Sequence, residues 1–124
     1  MATILVVDDD HDIVRLVKAF LDMDGHTVVG VHGGQEALDF LAVHAVDLVL
    51  LDILMPLPDG NNVLERLPSL IPVVVVLTGD VSSVRDDLRH RAHCTLKKPF
   101  ELAMLRLTVT KALDYVKTLE CAAP

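Results

Sequence analysis

The chain has 124 residues, of which 52% are hydrophobic, and carries a formal net charge of −7 at pH 7. This length suits a single folded domain over residues 1–124. The negative charge argues against direct nucleic-acid binding, which needs clustered cations. No apolar run reaches the roughly 20 residues of a membrane span, and no basic, apolar leader opens the chain, so we expect a soluble, cytoplasmic protein without membrane insertion.

The first half of the chain alternates short aliphatic runs with segments of helical periodicity. In chain order it predicts a strand near 3–7, a helix near 12–23, a strand near 27–31, a helix opening at Gly33-Gly34 and a strand at 47–51. Gly25 is placed to end the first helix. This alternation is typical of βαβ units in a parallel sheet.

The second half continues the alternation after a loop rich in proline. In chain order it predicts a helix near 61–67, a turn bracketed by Pro68 and Pro72, a strand at 73–77, a helix capped by Ser82 or Ser83 and carrying Val84 and Leu88, a weak strand near 94–97 and a helix from 101 to about 118. Five strands and five helices with short, right-handed connections predict a three-layer, doubly wound α/β fold.

Polar residues follow four of the predicted strands where each strand ends. Aspartates 8–10 follow the first strand, Asp52 the third, Thr78 the fourth and Lys98 the fifth. In an open parallel sheet, ligands bind in the crevice beyond the carboxyl ends of the strands. The sequence therefore predicts one pocket that holds several carboxylates, a hydroxyl and an ammonium group.

Carboxylates crowded into such a pocket repel one another by roughly 4 kcal/mol per pair at 4 Å and an effective dielectric constant near 20. Lys98 can balance only one of them. Either some carboxylates stay protonated or a divalent cation enters, and Mg²⁺ prefers oxygen ligands of this kind. The set suits phosphoryl transfer onto a carboxylate, with Asp52 as the nucleophile and the pair Asp8 and Asp9 holding the cation.

Each of these residues also has an ordinary structural interpretation. Aspartates 8–10 can cap a helix, Thr78 can serve a turn, and a solvated lysine beside a proline, as at Lys98, is commonplace. Asp52 stands alone at the end of the third predicted strand, and an acid at a further strand end favours the common pocket over these separate roles.

Four motifs in order along the chain carry a family resemblance. They are Val6-Val7-Asp8-Asp9, Leu51-Asp52 with Met55-Pro56 and Asp59-Gly60 behind it, Leu77-Thr78, and Lys98-Pro99-Phe100. Together they resemble the receiver domain of bacterial response regulators, over essentially the whole chain. The resemblance implies a flavodoxin-like (βα)5 fold with strand order 2-1-3-4-5.

The resemblance also implies a function in a two-component phosphorelay. Asp52 would accept a phosphoryl group from a histidine kinase or a phosphotransfer domain, Lys98 would contact that group, and Thr78 would turn its hydroxyl toward it. The implied Mg²⁺ ligands are Asp9, Asp52, the Leu54 backbone carbonyl and, through a metal-bound water, Asp8. The protein would be a signalling phosphoacceptor and not an enzyme acting on other substrates.

Output would come from a conformational shift of the fourth predicted helix, fifth strand and fifth predicted helix, which would bind a downstream protein target. A homodimer is a further candidate assembly. An acidic docking partner is suggested by the bases of this region, Arg85, Arg89, Arg91, Lys97, Arg106 and Lys111.

The chain departs from the family at Thr95, where an aromatic switch residue is usual, and at the turn before the fifth strand. The alternative from another class is therefore a phosphorylation-independent pseudo-receiver, an interaction module. A third hypothesis, a Mg²⁺-dependent phosphatase with an aspartyl-phosphate intermediate, needs a second acid after Asp52, and Ile53 and Leu54 stand there instead.

Overall fold

The computed structural model describes residues 2–67 and 73–122, with the backbone alone for 119–122. The strands are β1 (Thr3–Val7), β2 (Thr27–Val31), β3 (Leu48–Asp52), β4 (Val73–Thr78) and β5 (Cys94–Lys97). The α-helices are α1 (His11–Met23), α2 (Gly34–Val43), α3 (Gly60–Arg66) and α4 (Leu102–Ala122). Two 3₁₀ segments, Val81–Ser83 and Asp86–Arg91, lie in the connection between β4 and β5, residues 79–93, which we call the crossover.

The five strands form one parallel sheet in the order β2-β1-β3-β4-β5. This confirms the doubly wound α/β fold and the strand order that the family resemblance implies. Because all strands run the same way, their carboxyl ends meet at one edge of the sheet. Val7 pairs with Leu51, and Asp52 pairs with Leu77, so the predicted site residues are neighbours across three adjacent strands.

Side chains of alternate strand residues build a separate core on each face of the sheet. On β1, Ile4 and Val6 belong to the cluster that packs under α1 and α4, whereas Leu5 and Val7 belong to the cluster under α2, α3 and the crossover. All five residues of β3 are buried. A strand covered on both faces reads as a continuous aliphatic run, which explains why the strands were predictable from sequence.

The two ends of α1 follow local sequence signals. The Asp10 carboxylate accepts hydrogen bonds from the backbone N–H groups of Asp12 and Ile13, so Asp10 caps this helix. Gly25, just beyond the helix, has a φ of 89°, a left-handed conformation that favours glycine.

The crossover corrects one prediction, because neither Ser82 nor Ser83 caps an α-helix there. The Asp80 carboxylate instead accepts the Ser82 N–H at 2.9 Å and the Ser82 hydroxyl at 2.6 Å, and the Ser83 hydroxyl donates to the Asp80 carbonyl at 2.6 Å. Such local side-chain bonds compete with helical ones, and the segment forms 3₁₀ turns. Val84 and Leu88 are buried, so their spacing predicted correctly that they face the core, but the α-helix predicted from it was wrong.

The remaining boundaries differ from prediction by a residue or two, except that α4 continues to Ala122. The predicted turn at Pro68 and Pro72 lies outside the described residues. In the part of the chain that the structure describes, no helix combines the length and apolar character needed to cross a membrane.

Candidate functional site

Asp8 and Asp52 lie side by side at the carboxyl ends of β1 and β3. Val7 pairs with Leu51, and Asp8 and Asp52 are the residues that directly follow this pair. Asp8 is fully buried and Asp52 is 5% exposed. The Asp10 N–H donates to Asp8 Oδ1 at 2.9 Å and fixes that carboxylate at the start of α1. The two buried carboxylates are therefore held by the most central part of the sheet.

Lys98 brings its ammonium group to both carboxylates. Its Nζ lies 2.6 Å from Asp8 Oδ2 and 3.4 Å from Asp52 Oδ1. The Lys98 N–H also donates to the Thr78 carbonyl at 2.9 Å, which anchors the residue just after β5. The Lys98 ammonium thus forms ion pairs with the carboxylates at the ends of β1 and β3, and these pairs are largely shielded from solvent.

Asp9 completes a group of three carboxylates. One oxygen each from Asp8, Asp9 and Asp52 lies within 4.8 Å of the others, and among the described residues this is the only group of three or more His, Cys, Asp or Glu side chains so arranged. Asp10, in contrast, is occupied as the cap of α1. The sequence predicted Asp8 and Asp9 as the pair that holds the cation and offered all three aspartates as helix caps; in the structure the cap of α1 is Asp10.

The charges of this group are not balanced by the protein. Burial raises the pKa of Asp52 to about 7, and the neighbouring Asp8 charge adds to the rise while Lys98 opposes it. Burial acts to lower the pKa of Lys98, but its hydrogen bond to Asp8 and the charges of Asp52 and Asp8 outweigh this and raise it. A site of hard oxygen ligands with too little positive charge fits a divalent cation such as Mg²⁺.

Thr78 lies at the end of β4, and its side chain is buried. Its hydroxyl donates to the Asp80 carbonyl at 3.0 Å, accepts the Asp80 N–H at 3.1 Å, and lies 3.0 Å from the Ser83 hydroxyl. Thr78 therefore lies at the predicted edge of the sheet, the one formed by the carboxyl ends of the strands, but its hydroxyl is hydrogen-bonded to the crossover.

The turn after β3 carries Leu54, whose side chain is 62% exposed. The turn is tight, since the Gly60 N–H donates to the Ile53 carbonyl at 3.1 Å. A Cβ at Gly60 would lie 2.4 Å from the Asp52 carbonyl oxygen and 2.6 Å from the Ile53 Cα. Only glycine lets α3 begin this close to Asp52. The role of the Leu54 carbonyl as a metal ligand stays a prediction.

Asn61, the second residue of α3, is a residue that the sequence analysis missed. It is buried, and its side-chain amide bonds the backbone of the crossover at Ser83 and Arg85. Its spacing from Leu64 places a polar residue on the apolar face of α3, and that is the one signal in the sequence that could have identified it.

The basic residues suggested as a docking surface mostly have internal partners. Arg85 pairs with Glu65 and Asp87, and Arg89 pairs with Asp86. Two of the four others also bond within the protein, Arg106 with Asp24 and Arg91 with the Leu67 carbonyl. An acidic partner would have to compete with these contacts, which weakens the sequence argument for such a partner.

Comparisons with known proteins agree with this architecture. The family model of the response regulator receiver domain matches residues 4–110. The transcriptional regulatory protein CpxR of Escherichia coli K12 is 37% identical over 103 residues, which are 81% of this chain and 44% of CpxR.

Solved structures of similar proteins superpose closely. NtrX from Brucella abortus, in a complex with ADP, has a TM-score of 0.86 and 31% identity, covering 96% of this chain and 28% of that one. A CheY-like receiver domain protein from Methanospirillum hungatei has a TM-score of 0.87 and 26% identity, covering 95% of this chain and 98% of that one. This chain spans less than half of the length of CpxR and of the NtrX chain. The match over residues 4–110 shows that the chain belongs to the response regulator receiver domain family of two-component signal transduction.

Proposed function

We propose that Asp52 accepts a phosphoryl group from the phosphohistidine of a histidine kinase or a phosphotransfer domain. The observation that carries the proposal is a buried carboxylate at the end of β3, adjacent to Asp8 and within 3.4 Å of the Lys98 ammonium. A carboxylate oxygen of Asp52 would attack phosphorus, and an O–P bond would form as the P–N bond to the donor imidazole breaks. The electron pair of that bond returns to the imidazole nitrogen.

Attack requires the anionic form of Asp52, which its raised pKa disfavours at neutral pH. A divalent cation beside Asp52 would restore that form and, when bound, would neutralise charge on the phosphoryl oxygens. We assign its ligands to Asp9, Asp52 and the Leu54 carbonyl, with Asp8 acting through a metal-bound water. The grouping of the three carboxylates supports this set, and Mg²⁺ is the expected ion.

Lys98 and Thr78 would hold the transferred group. Lys98 already touches an Asp52 oxygen, so a short movement would place its ammonium on a phosphoryl oxygen. Thr78 would have to release Asp80 and Ser83 before its hydroxyl could donate to the same group. Phosphorylation is therefore expected to pull on the crossover.

The output surface we propose comprises the crossover, β5 and α4, acting on a downstream protein target in the cytoplasm, with no direct contact to nucleic acid from this domain. The relatives are longer than this chain, so such a target could equally be another part of a longer polypeptide. The exposed Met104 and Leu107 on α4 offer this surface apolar contacts. A homodimer through the same surface remains a proposal.

The test is to incubate the protein with Mg²⁺ and acetyl phosphate and to record its intact mass. The wild type should gain one phosphoryl group and Asp52→Asn none. Asp47→Asn is a matched control, because Asp47 precedes β3 at the opposite edge of the sheet and its Oδ2 accepts the Thr3 N–H at 2.9 Å. It should be phosphorylated like the wild type.

If neither the wild type nor the control gains mass, phosphoacceptance is refuted and the pseudo-receiver hypothesis takes its place. If Asp52→Asn is phosphorylated as well as the wild type, another residue is the acceptor and the assignment of Asp52 is wrong.

A further inference from the structure

One buried side-chain amide holds the crossover against α3. Asn61 donates from Nδ2 to the Ser83 carbonyl at 3.0 Å, and its Oδ1 accepts the Arg85 N–H at 3.0 Å. Val84, between the two, is extended with φ −75° and ψ 124°, and its side chain is buried. Asn61 thereby satisfies the backbone groups on both sides of the break between the 3₁₀ segments. We call this pair of hydrogen bonds the Asn61 clamp.

The clamp is continuous with the candidate phosphorylation site. Ser83 contacts Asn61 through its carbonyl and Thr78 through its hydroxyl, which lies 3.0 Å from the Thr78 hydroxyl. The Ser83 and Thr78 hydroxyls both donate to the Asp80 carbonyl, so this shared acceptor joins the two side chains. Because a threonine hydroxyl has a single hydrogen, Thr78 cannot keep its present bond and donate to a group on Asp52 at the same time.

The fixed end of the clamp lies on the backbone that carries Asp52. Gly60, the residue before Asn61, bonds the Ile53 carbonyl and lies directly against the Asp52 carbonyl. The other end is the crossover, which contacts α3 here through the buried Val84 and Leu88 and through the exposed ion pair of Arg85 with Glu65. Exposed ion pairs of this kind contribute little to stability.

We infer that Asn61 is a positioning residue that holds the crossover in its resting form, and that a phosphoryl group on Asp52 opens the Asn61 clamp through Thr78 and Ser83. This inference rests on the proposed function. It gives the crossover a switch built from side-chain hydrogen bonds, in a chain that has Thr95 where the family usually has an aromatic switch residue.

Thermodynamic reciprocity gives the inference a second consequence. If a phosphoryl group on Asp52 favours the open clamp, then a substitution that opens the clamp should strengthen binding of a phosphoryl mimic, by up to the factor by which that mimic favours the open form. Beryllofluoride with Mg²⁺ is a suitable probe, because it mimics an acyl phosphate on a carboxylate without requiring a donor.

The test compares two substitutions on adjacent residues. Asn61→Asp keeps the shape and the acceptor for the Arg85 N–H, but it turns an oxygen toward the Ser83 carbonyl in place of the donor. Asn62→Asp is the matched control: the Asn62 Oδ1 accepts the Asp59 N–H in the cap of α3, and an aspartate retains that acceptor. Residue-resolved amide hydrogen exchange is then measured on the whole chain.

Without beryllofluoride, repulsion between the new aspartate oxygen and the Ser83 carbonyl should push the crossover away from α3 and so separate the Arg85 N–H from its acceptor. The Arg85 amide of Asn61→Asp should therefore exchange at least tenfold faster than in the wild type, while Asn62→Asp should match the wild type. Beryllofluoride should accelerate exchange of the same amide in the wild type, and it should bind Asn61→Asp more tightly than the wild type, by no more than the factor of that acceleration. Equal exchange in the two variants would overturn the clamp.

Failure of the inference can be told apart from failure of the proposed function. If acetyl phosphate adds a phosphoryl group to Asp52 but beryllofluoride leaves the Arg85 amide unchanged, the coupling is refuted and phosphoacceptance stands. If Asp52 accepts no group, the coupling falls with the proposed function, while the two variants still decide whether the clamp exists.

A second variant guards against misfolding of Asn61→Asp. Ser83→Ala keeps the carbonyl bond to Asn61 and removes the hydroxyl that contacts Thr78 and donates to the Asp80 carbonyl. Its Arg85 amide should exchange like the wild type without beryllofluoride and should lose most of the response to it. A full response in Ser83→Ala would overturn the proposed route.

Discussion

The strand ends that carry the carboxylates and the crossover beside them are held by different forces. Asp8 and Asp52 extend from strands paired on both sides and buried on both faces, so their positions follow from the sheet. The crossover buries only Val84 and Leu88 in the core and otherwise depends on a few hydrogen bonds of Asp80, Ser83 and Asn61. The reacting groups therefore belong to the part of the molecule that the sheet fixes, and the response can belong to a part that a few bonds control.

The largest expected effect separates two glycines, one in each region. Gly60→Ala should destabilise the protein by about 3 kcal/mol, because the added methyl group meets the Asp52 and Ile53 backbone. Gly79→Ala, in the crossover, should change stability by less than about 0.5 kcal/mol, since a Cβ there has no atom within 4 Å among the described residues. Urea unfolding measures both, and equal losses would contradict the contrast.

A second prediction concerns how the raised pKa of Asp52 makes the stability of the protein depend on pH. The pKa of Asp52 is raised from 3.8 to about 7, so the folded protein holds a proton that the unfolded chain has released between these values. This group therefore lowers the stability as pH rises through that window. In a chelator, Asp52→Asn should be more stable than the wild type by about 2 kcal/mol at pH 8, and the gain should vanish near pH 4.

Urea unfolding across the pH range measures this difference. A gain that is the same at pH 4 and pH 8 would contradict the assignment of the raised pKa to Asp52. Saturating Mg²⁺ should remove most of the gain at pH 8, because the cation stabilises only the protein that retains the carboxylate.

A third prediction separates neighbouring aspartates with different tasks. Asp10→Ala should cost about 1 kcal/mol of stability through the lost cap of α1, and the protein should still take up a phosphoryl group. Asp9→Ala should cost less than about 0.5 kcal/mol, as an exposed side chain, and should raise the Mg²⁺ concentration needed for phosphorylation at least tenfold. Unfolding and acetyl phosphate titrations with Mg²⁺ test the pair, and a reversed pattern would show that Asp10 is the ligand.

The smallest effect on stability is expected in the turn after β3. Leu54→Asn should change stability by less than about 0.5 kcal/mol, because the side chain is 62% exposed. It should nevertheless shorten the lifetime of the phosphorylated protein several-fold, since an apolar group beside the acyl phosphate excludes water. Leu57→Asn, at a residue 83% exposed in the same turn, is the control. An unchanged lifetime in Leu54→Asn would refute this role.

The strands and the convergence of Asp8, Asp52, Thr78 and Lys98 were predictable because both follow from local patterns. Aliphatic runs mark strands that are buried on both faces, and parallel strands bring their carboxyl ends together. Asp8 and Asp9 were also predicted to hold the cation, but which of the three consecutive aspartates caps α1 was not predictable, since it depends on which carboxylate reaches the first backbone N–H groups of that helix.

The conformation of the crossover could not be predicted from the sequence either. Val84 and Leu88 have the spacing of a helix, but the Asn61 amide that fills the break comes from a residue 22 positions before Ser83. A pattern read within a short window contains no trace of such a partner.

The edge strand β5 has only four residues, and Thr95 and Lys97 on it are exposed. A short edge with a charged side chain is a poor template for strand addition by another molecule. The crossover beside it can therefore loosen without offering a sheet edge to a second chain, so the design tolerates local opening without inviting aggregation.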